Sequence, residues 1–174
     1  MALNHAIRQR SVAYRYFRHY RPGHGRAFQF PYCRGSTLGL FARAALNELP
    51  IQADIGLHGS FHYTGEGHGT HLAILAGILG LSPDDERIPF ASQLAADHHL
   101  VYQFNPIDLG EVHPNSARII LRSSTHTVSV DGSSLGGGKI SIWKLNHYPV
   151  ELNGFYPTLI LVHRDHPGVA AKVT

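Results

Sequence analysis

The stretch that decides the fold is Gly56-Leu57-His58-Gly59-Ser60-Phe61-His62-Tyr63-Thr64-Gly65-Glu66-Gly67-His68-Gly69-Thr70-His71. It follows an apolar run, residues 51–57, that predicts a strand, and it leads into residues 72–79, which predict a buried helix. Five glycines and four histidines fall within the stretch. Glycines let backbone approach a ligand closely, and histidines bring imidazoles beside it. We therefore expect a binding loop between the strand and the helix.

The length and composition of the chain are those of one globular domain. Its 174 residues are 43% hydrophobic, which suffices for a buried core. No apolar run approaches the roughly 20 residues of a membrane-spanning helix, and the N-terminus has no apolar signal-peptide core. The single cysteine, Cys33, excludes an internal disulfide and a metal cluster held by this chain's thiolates alone. We expect a cytoplasmic protein with no membrane partner.

Helical and strand-like patterns along the chain predict an α+β fold. Apolar residues recur at helical spacing over 38–49, where Pro50 ends the pattern, and 91–97 is a further predicted helix. The other predicted strands are 100–104, 117–121, 127–130, 139–145, 149–152 and 158–163. We expect 117–121 to pair with 127–130, and 139–145 to form a hairpin with 149–152.

The histidines at the end of the first loop admit three interpretations. His68 and His71 are three residues apart and share a face at the start of the predicted helix. A zinc site is disfavoured because no acidic ligand stands at helical spacing and the HExxH pattern is absent. Histidines that cap the helix and residues that face a substrate both remain open, and Thr70 could also cap the helix. The nearby glycines lack the GxGxxG spacing of a dinucleotide loop.

A second glycine-rich loop, Gly132-Ser133-Ser134-Leu135-Gly136-Gly137-Gly138-Lys139, precedes a predicted strand. The P-loop spacing fails, since Ser133 and Ile140 stand at key positions. Two interpretations remain: backbone amides that hold an anion such as a carboxylate, or a bulged hairpin. Asn115, in His113-Pro114-Asn115-Ser116, is likewise either a turn former or a site residue.

Several segments of the chain resemble the beta chain, or beta domain, of the iron–sulfur L-serine dehydratases. Those proteins carry, in this order, Gly-Ser-Phe, Gly-His-Gly-Thr, Pro-Asp-Asp-Glu-Arg-Ile, His-Pro-Asn and Ser-Ile-Gly-Gly-Gly-Lys. The matching segments here are Gly59-Ser60-Phe61, Gly67-His68-Gly69-Thr70, Pro83-Asp84-Asp85-Glu86-Arg87-Ile88, His113-Pro114-Asn115 and Ser134-Leu135-Gly136-Gly137-Gly138-Lys139. The resemblance covers roughly residues 38–174.

The resemblance implies a fold, an activity and partners. The fold would be an α+β domain similar to the allosteric substrate-binding domain of phosphoglycerate dehydrogenases. The activity would be the deamination of L-serine to pyruvate and ammonia, with a [4Fe–4S] cluster held by a separate alpha chain and no metal ligand on this chain. The substrate-binding residues would be His68, Gly69, Thr70, Asn115, Gly136, Gly137, Gly138 and Lys139.

The chain departs from the family at two places. His71 replaces the aspartate that often follows Gly-His-Gly-Thr, and the family's N-terminal Pro-Ser-Ser-Ser-His-Thr is absent in frame, so no catalytic residue can be assigned. The alternative to an active subunit is a catalytically inactive remnant or a serine-binding regulatory module.

The first 37 residues have an unusual charge. They hold seven arginines and no acidic residue, a net +7, whereas the rest of the chain carries −4. Arginine alternates with aromatics over 14–21, which is typical of a nucleic-acid-binding arm; an ordinary tail is a second interpretation. We favour a third, because back-translation of 17–37 one base later permits Phe-Asp-Ile-Ile-Gly-Pro-Val-Met-Val-Gly-Pro-Ser-Ser-Ser-His-Thr-Ala-Gly. We predict that residues up to about 37 are a frame-shifted reading of this family motif, and we do not expect nucleic acid to be a partner.

The C-terminal segment resembles the opening of an ACT-type amino-acid-binding domain. A predicted strand is followed there by Asp165-His166-Pro167-Gly168-Val169 and the start of a helix. One strand and half a helix cannot bury a core alone, so we expect this end to be poorly ordered or to lean on the main domain. The predicted divisions are 1–37 for a poorly ordered aberrant segment, 38–156 for the beta domain and 157–174 for a truncated ACT-type domain.

Overall fold

A computed structural model of the chain describes residues 12–14, 33–153, 158 and 160–162. Its strands are β1 Val12–Tyr14, β2 Gln52–His58, β3 Val101–Pro106, β4 Ser116–Arg122, β5 Thr127–Gly136, β6 Lys139–Leu145, β7 Tyr148–Leu152 and β8 Ile160–Val162. Its α-helices are α1 Cys33–Leu46, α2 Ser60–Tyr63, α3 Thr70–Ile78 and α4 Ala91–Asp97, with a 3₁₀ helix at Ile88–Phe90. The predicted α+β class is confirmed. Within the described ranges, no helix is both long and apolar enough to cross a membrane.

Six strands form one mixed sheet in the order β3-β2-β4-β5-β6-β7. The β2–β3 pair is parallel, and every other neighbouring pair in this sheet is antiparallel. The predicted pairing of β4 with β5 and the predicted β6–β7 hairpin are both confirmed. Parallel strands need a long crossover, and here the crossover contains the first glycine-rich loop, α2, α3 and α4.

One face of the sheet is buried under α1 and α3. Alternate residues of the central strands are buried on that face because strand side chains point to opposite sides in turn. They are Ala53, Ile55 and Leu57 of β2, Ala117, Ile119 and Leu121 of β4, and Val128 and Val130 of β5. The opposite face carries charged pairs, of which Arg122 with Asp54 and Arg118 with Asp131 are examples.

Glycines bring α1 and α3 into backbone contact. Gly35 faces Thr70 and Ile74, and Gly39 faces Ile74 and Ile78, so the two helices run side by side in the same direction. Side chains at these glycines would overlap backbone atoms of α3. The two N-termini therefore lie at the same end of the domain.

Three boundaries differ from the sequence prediction by three residues or more. Helix α1 begins at Cys33 and not at residue 38, because Gly35 already packs against α3. It ends at Leu46, since Asn47 adopts a left-handed conformation and donates its N–H to the Arg43 carbonyl. Strand β5 continues to Gly136, so most of the predicted second loop is strand, interrupted by register shifts next to Gly132 and Gly136.

The strands β1 and β8 form a separate antiparallel pair, with Ala13 opposite Leu161. Strand β8 falls within the predicted strand 158–163. Its partner comes from the predicted aberrant segment and not from the six-stranded sheet, an arrangement that the sequence does not indicate. Residues 33–37 of the predicted frame-shifted segment form the start of α1. Residues 17–32 of that segment and the ACT-like 165–169 lie outside the described residues, and the three predicted domain divisions stay predictions.

Candidate functional site

The predicted site residues lie at the end of the sheet where β2 finishes, β4 starts and β5 approaches its hairpin. The register makes this end explicit: His58 stands opposite Ser116, and Ser116 stands opposite Ser133. The loop that follows β2 contacts Pro114 through the Phe61 N–H, and its Gly65 carbonyl accepts the N–H of Thr70, the first residue of α3. The glycine-rich segments and the His-Pro-Asn segment therefore meet at one end of the domain.

The first loop leaves β2 through a turn that only glycine fits. Gly59 has φ 55° and ψ −128°, a conformation that L side chains rarely adopt. A Cβ at this position would also come within 2.7 Å of the Pro114 carbonyl oxygen. The same carbonyl accepts the Phe61 N–H at 3.4 Å. The turn thus fixes the start of the loop against the His113-Pro114-Asn115 segment.

The loop closes onto the first turn of α3 through its own backbone. The His68 N–H donates to the Thr64 carbonyl at 3.3 Å, and the Thr70 N–H donates to the Gly65 carbonyl at 2.8 Å. His68 is exposed, whereas Thr70 is only 4% exposed. The suggestion that Thr70 caps the helix is wrong: the N-cap is Gly69, which has φ 67°, and no side chain caps this end.

His71 points away from the loop and toward the sheet. Its ring meets the Phe104 ring edge-on, with centroids 4.6 Å apart. Its Nδ1 atom is buried and has no hydrogen-bond partner. This contact with β3 supports a packing role for the residue that stands where the family often has aspartate.

Asn115 connects the neighbouring strands through its backbone. Its carbonyl accepts the Ser134 N–H at 2.9 Å, and its own N–H donates to His113 Nδ1 at 3.1 Å. The next residue, Ser116, shares a buried hydroxyl–hydroxyl hydrogen bond of 2.8 Å with Ser133. Asn115 is therefore tied to the strand that ends in the second glycine-rich segment.

The second glycine-rich segment forms the tip of the β5–β6 hairpin. Gly136, Gly137 and Gly138 have φ values of 89°, 59° and 77°, and nothing lies within 4 Å of the position of an added Cβ. Lys139, the first residue of β6, is exposed. This geometry is that of a bulged hairpin, and its open tip leaves backbone accessible.

The structure thus brings the eight predicted residues to one end of the domain in two groups. His68, Gly69 and Thr70 start α3, and Asn115 lies beside the strand that leads to residues 136–139. The Pro114 contacts with Gly59 and Phe61 link the groups. Among the described residues, no hydrogen bond or ion pair joins 136–139 directly to 68–70.

Two curated proteins are similar to this chain. The probable L-serine dehydratase beta chain of Bacillus subtilis (strain 168) is 37% identical over 138 residues, which are 79% of this chain and 63% of that protein. The L-serine dehydratase beta chain of Peptoniphilus asaccharolyticus is 40% identical over 125 residues, 71% of this chain and 56% of that protein. This chain is therefore similar to L-serine dehydratase beta chains over 71–79% of its length.

The chain spans less than two thirds of the length of either serine dehydratase beta chain. No family model matches it. The resemblance drawn from the glycine-rich segments is confirmed by these two relatives, while the roles of individual residues stay predictions.

The serine dehydratase resemblance did not single out the polar atoms that the fold leaves buried without partners. Five such atoms occur among the described residues: Ser36 Oγ, Thr37 Oγ1, Arg43 Nε, His71 Nδ1 and Ser134 Oγ. Three of them, Ser36 Oγ, Thr37 Oγ1 and Ser134 Oγ, belong to the N-terminal part of α1 or to the end of β5, whereas the His71 ring packs against β3. Buried polar atoms usually have a partner, so their concentration at this end supports a site there. In the sequence, the adjacent Ser133 and Ser134 of β5 were the pattern that could have indicated buried hydroxyls at this end.

A cleft of about 440 Å³ adjoins the first glycine-rich loop. It is lined by Leu57, His58, Gly59, His62, Tyr63, Pro106, Ile107 and Asp108. His58 Nδ1 accepts the Leu109 N–H at 3.2 Å, which leaves Nε2 to carry the proton of the neutral ring. The sequence predicted a histidine-rich loop but not this cleft. Asp108 follows β3, and the whole β2–β3 crossover separates it from His58 in the chain.

Proposed function

We propose that this chain is the beta subunit of an L-serine dehydratase, which deaminates L-serine to pyruvate and ammonia together with an alpha chain. The observation that supports it most strongly is the 37–40% identity to two proteins named as L-serine dehydratase beta chains. A fold similar to the allosteric substrate-binding domain of phosphoglycerate dehydrogenases and a cytoplasmic location belong to the same proposal.

A [4Fe–4S] cluster is part of this proposal, and we assign it to the alpha chain. Within the described ranges, no three His, Cys, Asp or Glu side chains converge as metal ligands. The donor set of this part of the chain therefore does not fit a cluster. The part played by this chain is then to bind and orient the substrate.

The start of α3 supports binding of the substrate carboxylate. Helix geometry leaves the first backbone N–H groups without intrahelical acceptors. The Thr70 N–H donates to the Gly65 carbonyl in the loop, and the Ala73 N–H donates to the Gly69 carbonyl. The N–H groups of His71 and Leu72 are therefore the ones that can bind an anion. An anion at this position is also favoured by the helix dipole. His68, which is exposed, comes directly before this turn in the chain.

The hairpin tip supports a second group of contacts. Successive glycines in the left-handed conformation expose their amides in one short segment. Lys139 adds a positive charge beside them, and its side chain is exposed. In this proposal the tip and Asn115 close over the substrate from the side opposite His68.

The second candidate function is a catalytically inactive remnant or a serine-binding regulatory module. It is favoured by one observation, the absence in frame of the family's Ser-Ser-Ser-His-Thr segment. Such a chain would keep the loop, α3 and the hairpin tip without turning over substrate.

Pyruvate formation separates the two candidates. The full chain is combined with an L-serine dehydratase alpha chain, the cluster is reconstituted without oxygen, and pyruvate is measured with L-serine as substrate. Activity supports the first proposal, and L-serine binding without pyruvate supports the second. If the protein shows neither pyruvate formation nor L-serine binding, the active subunit and the serine-binding module are both contradicted, and only the inactive remnant is left.

Substitution of His68 tests the site itself. We expect His68→Ala to lower kcat/KM, or L-serine affinity in an inactive pair, by about tenfold, the effect of losing one hydrogen bond to a charged group. His98→Ala is the matched control, because His98 is also exposed but lies at the end of α4. Equal behaviour of the two variants would remove His68 from the site.

A further inference from the structure

A second cleft lies on the face of the sheet that α1 and α3 do not cover. Its volume is about 510 Å³, within the range of small-molecule sites. It spans β4, β5 and the turn between β6 and β7. Its lining residues are Arg118, Ile120, Thr127, Ser129, Asp131, Lys144, Asn146 and His147. None of them belongs to the proposed serine site, and the β6–β7 turn is at the opposite end of β6 from the glycine hairpin tip.

The hydrogen-bond acceptors of this cleft are already used. Asp131 receives Arg118 Nε at 2.8 Å and Arg118 Nη2 at 2.7 Å, one on each carboxylate oxygen. The Asp131 side chain is only 3% exposed. The side-chain oxygen of Asn146 accepts the Ser129 N–H at 3.0 Å. A ligand would find few free acceptors on these side chains.

The donors of the cleft, in contrast, remain available. Lys144 stands directly opposite Asp131 in the sheet register, is exposed, and has no ion-pair partner among the described residues. The bidentate pair engages Nε and Nη2 of Arg118 and leaves Nη1 over. The hydroxyls of Thr127 and Ser129 and the ring of His147 add further donors.

The charged side chains of the cleft also favour an anion. Two permanent cations, Arg118 and Lys144, surround one carboxylate, that of Asp131. The paired carboxylate raises the pKa of Arg118 through its hydrogen bonds, so this guanidinium stays charged. The cleft therefore offers a positive, donor-rich surface beside one apolar side chain, Ile120.

We propose that this cleft binds a small organic molecule through an oxyanion group, a carboxylate or a phosphate, held between Lys144 and the free edge of Arg118. The volume exceeds that of the anionic group alone, and Ile120 contacts the carbon part of the ligand. Guanidinium and ammonium groups are the usual partners of both oxyanions. The site lies outside the proposed serine site and is independent of catalysis.

Amide chemical shifts of the full chain test this assignment during titration at constant ionic strength. The probes are succinate for the carboxylate and inorganic phosphate for the phosphate, with chloride as the reference anion. We expect saturable shifts centred on Arg118, Ser129, Asp131, Lys144 and Asn146. The probe that binds more tightly identifies the oxyanion, and the absence of saturable shifts with both probes overturns the proposal.

Charge-removing variants supply the control. Lys144→Gln is expected to weaken binding of the better probe by about tenfold, and because Lys144 is exposed and unpaired, the fold should persist. Arg87→Gln removes the same charge from an exposed residue outside the cleft. Equal weakening by both variants would show nonspecific attraction to a positive protein and would overturn the proposal.

Discussion

The contact between α1 and α3 predicts a large effect of one added methyl group. In Gly39→Ala the new Cβ would lie 2.9 Å from the Ile78 nitrogen and closer still to the Ile74 carbonyl oxygen. Ordinary contact begins at 3.4 Å, so the Ile78 nitrogen alone requires the helices to separate by 0.5 Å, and the nearer Ile74 carbonyl oxygen requires more. The obstacles are backbone atoms, which cannot rotate away.

The magnitude follows from two opposing effects. Overpacking of a close contact costs about 3 kcal/mol at the upper end of its usual range, whereas replacing glycine by alanine inside a helix returns about 1 kcal/mol. We expect the free energy of unfolding to fall by about 2 kcal/mol, as the difference of these two terms.

Urea denaturation followed by circular dichroism measures this difference. Gly67→Ala is the matched control, since its Cβ would meet only the Thr64 carbonyl oxygen at 3.9 Å; it should change stability by less than about 0.5 kcal/mol. A Gly39→Ala protein as stable as the parent would refute the close parallel packing of α1 and α3.

Three further predictions concern a turn, a carboxylate and the N-terminus. Gly59→Ala should lower the thermal midpoint more than Gly67→Ala, because it combines a left-handed φ with a 2.7 Å approach to the Pro114 carbonyl; equal midpoints would contradict the turn. Hydrogen bonds from Ser123 and then Thr125 lower the pKa of Glu48 to about 2. Because this pKa is lowered on folding, the Glu48 carboxylate stabilises the folded state above its ordinary pKa near 4.5, and this stabilisation is lost as the pH falls toward 2. In Glu48→Gln the thermal midpoint should therefore fall less between pH 4.5 and pH 2 than in the parent. An unchanged pH profile would show that the Glu48 carboxylate does not contribute to stability in this range. Sequencing of the gene should show that one added or missing base near codon 37 restores Pro-Ser-Ser-Ser-His-Thr, and serine codons incompatible with TCC and AGT in the shifted frame would exclude the frame shift.

Periodicity predicted the elements whose neighbours are close in sequence. Helix α4 and the β6–β7 hairpin occur where the patterns placed them, since each depends on a short apolar repeat. The end of β5 was missed because glycine and serine are typical of loops, although here they occupy a strand with register shifts. The early start of α1 was missed because its first residues carry no apolar repeat and owe their position to α3.

The site was predictable as a set of segments but not as a geometry. The glycine–histidine stretch indicated a binding loop, and the order of motifs indicated the family. The hydroxyl pair of Ser116 and Ser133 and the cleft beside His58 depend on strand register and on the crossover, which no local pattern encodes. The ion pair of Arg122 with Asp54 likewise joins residues far apart in the chain.

The position of the first loop inside the β2–β3 crossover has a consequence for biosynthesis. Both sheet neighbours of β2 are translated after it: β3 begins at Val101 and β4 at Ser116. Until those strands leave the ribosome, both edges of β2 lack their native partners. The binding loop can reach its final shape only once Pro114 has arrived to meet Gly59. The site is therefore completed late in synthesis, and a nascent chain that pauses before residue 114 exposes an aggregation-prone strand.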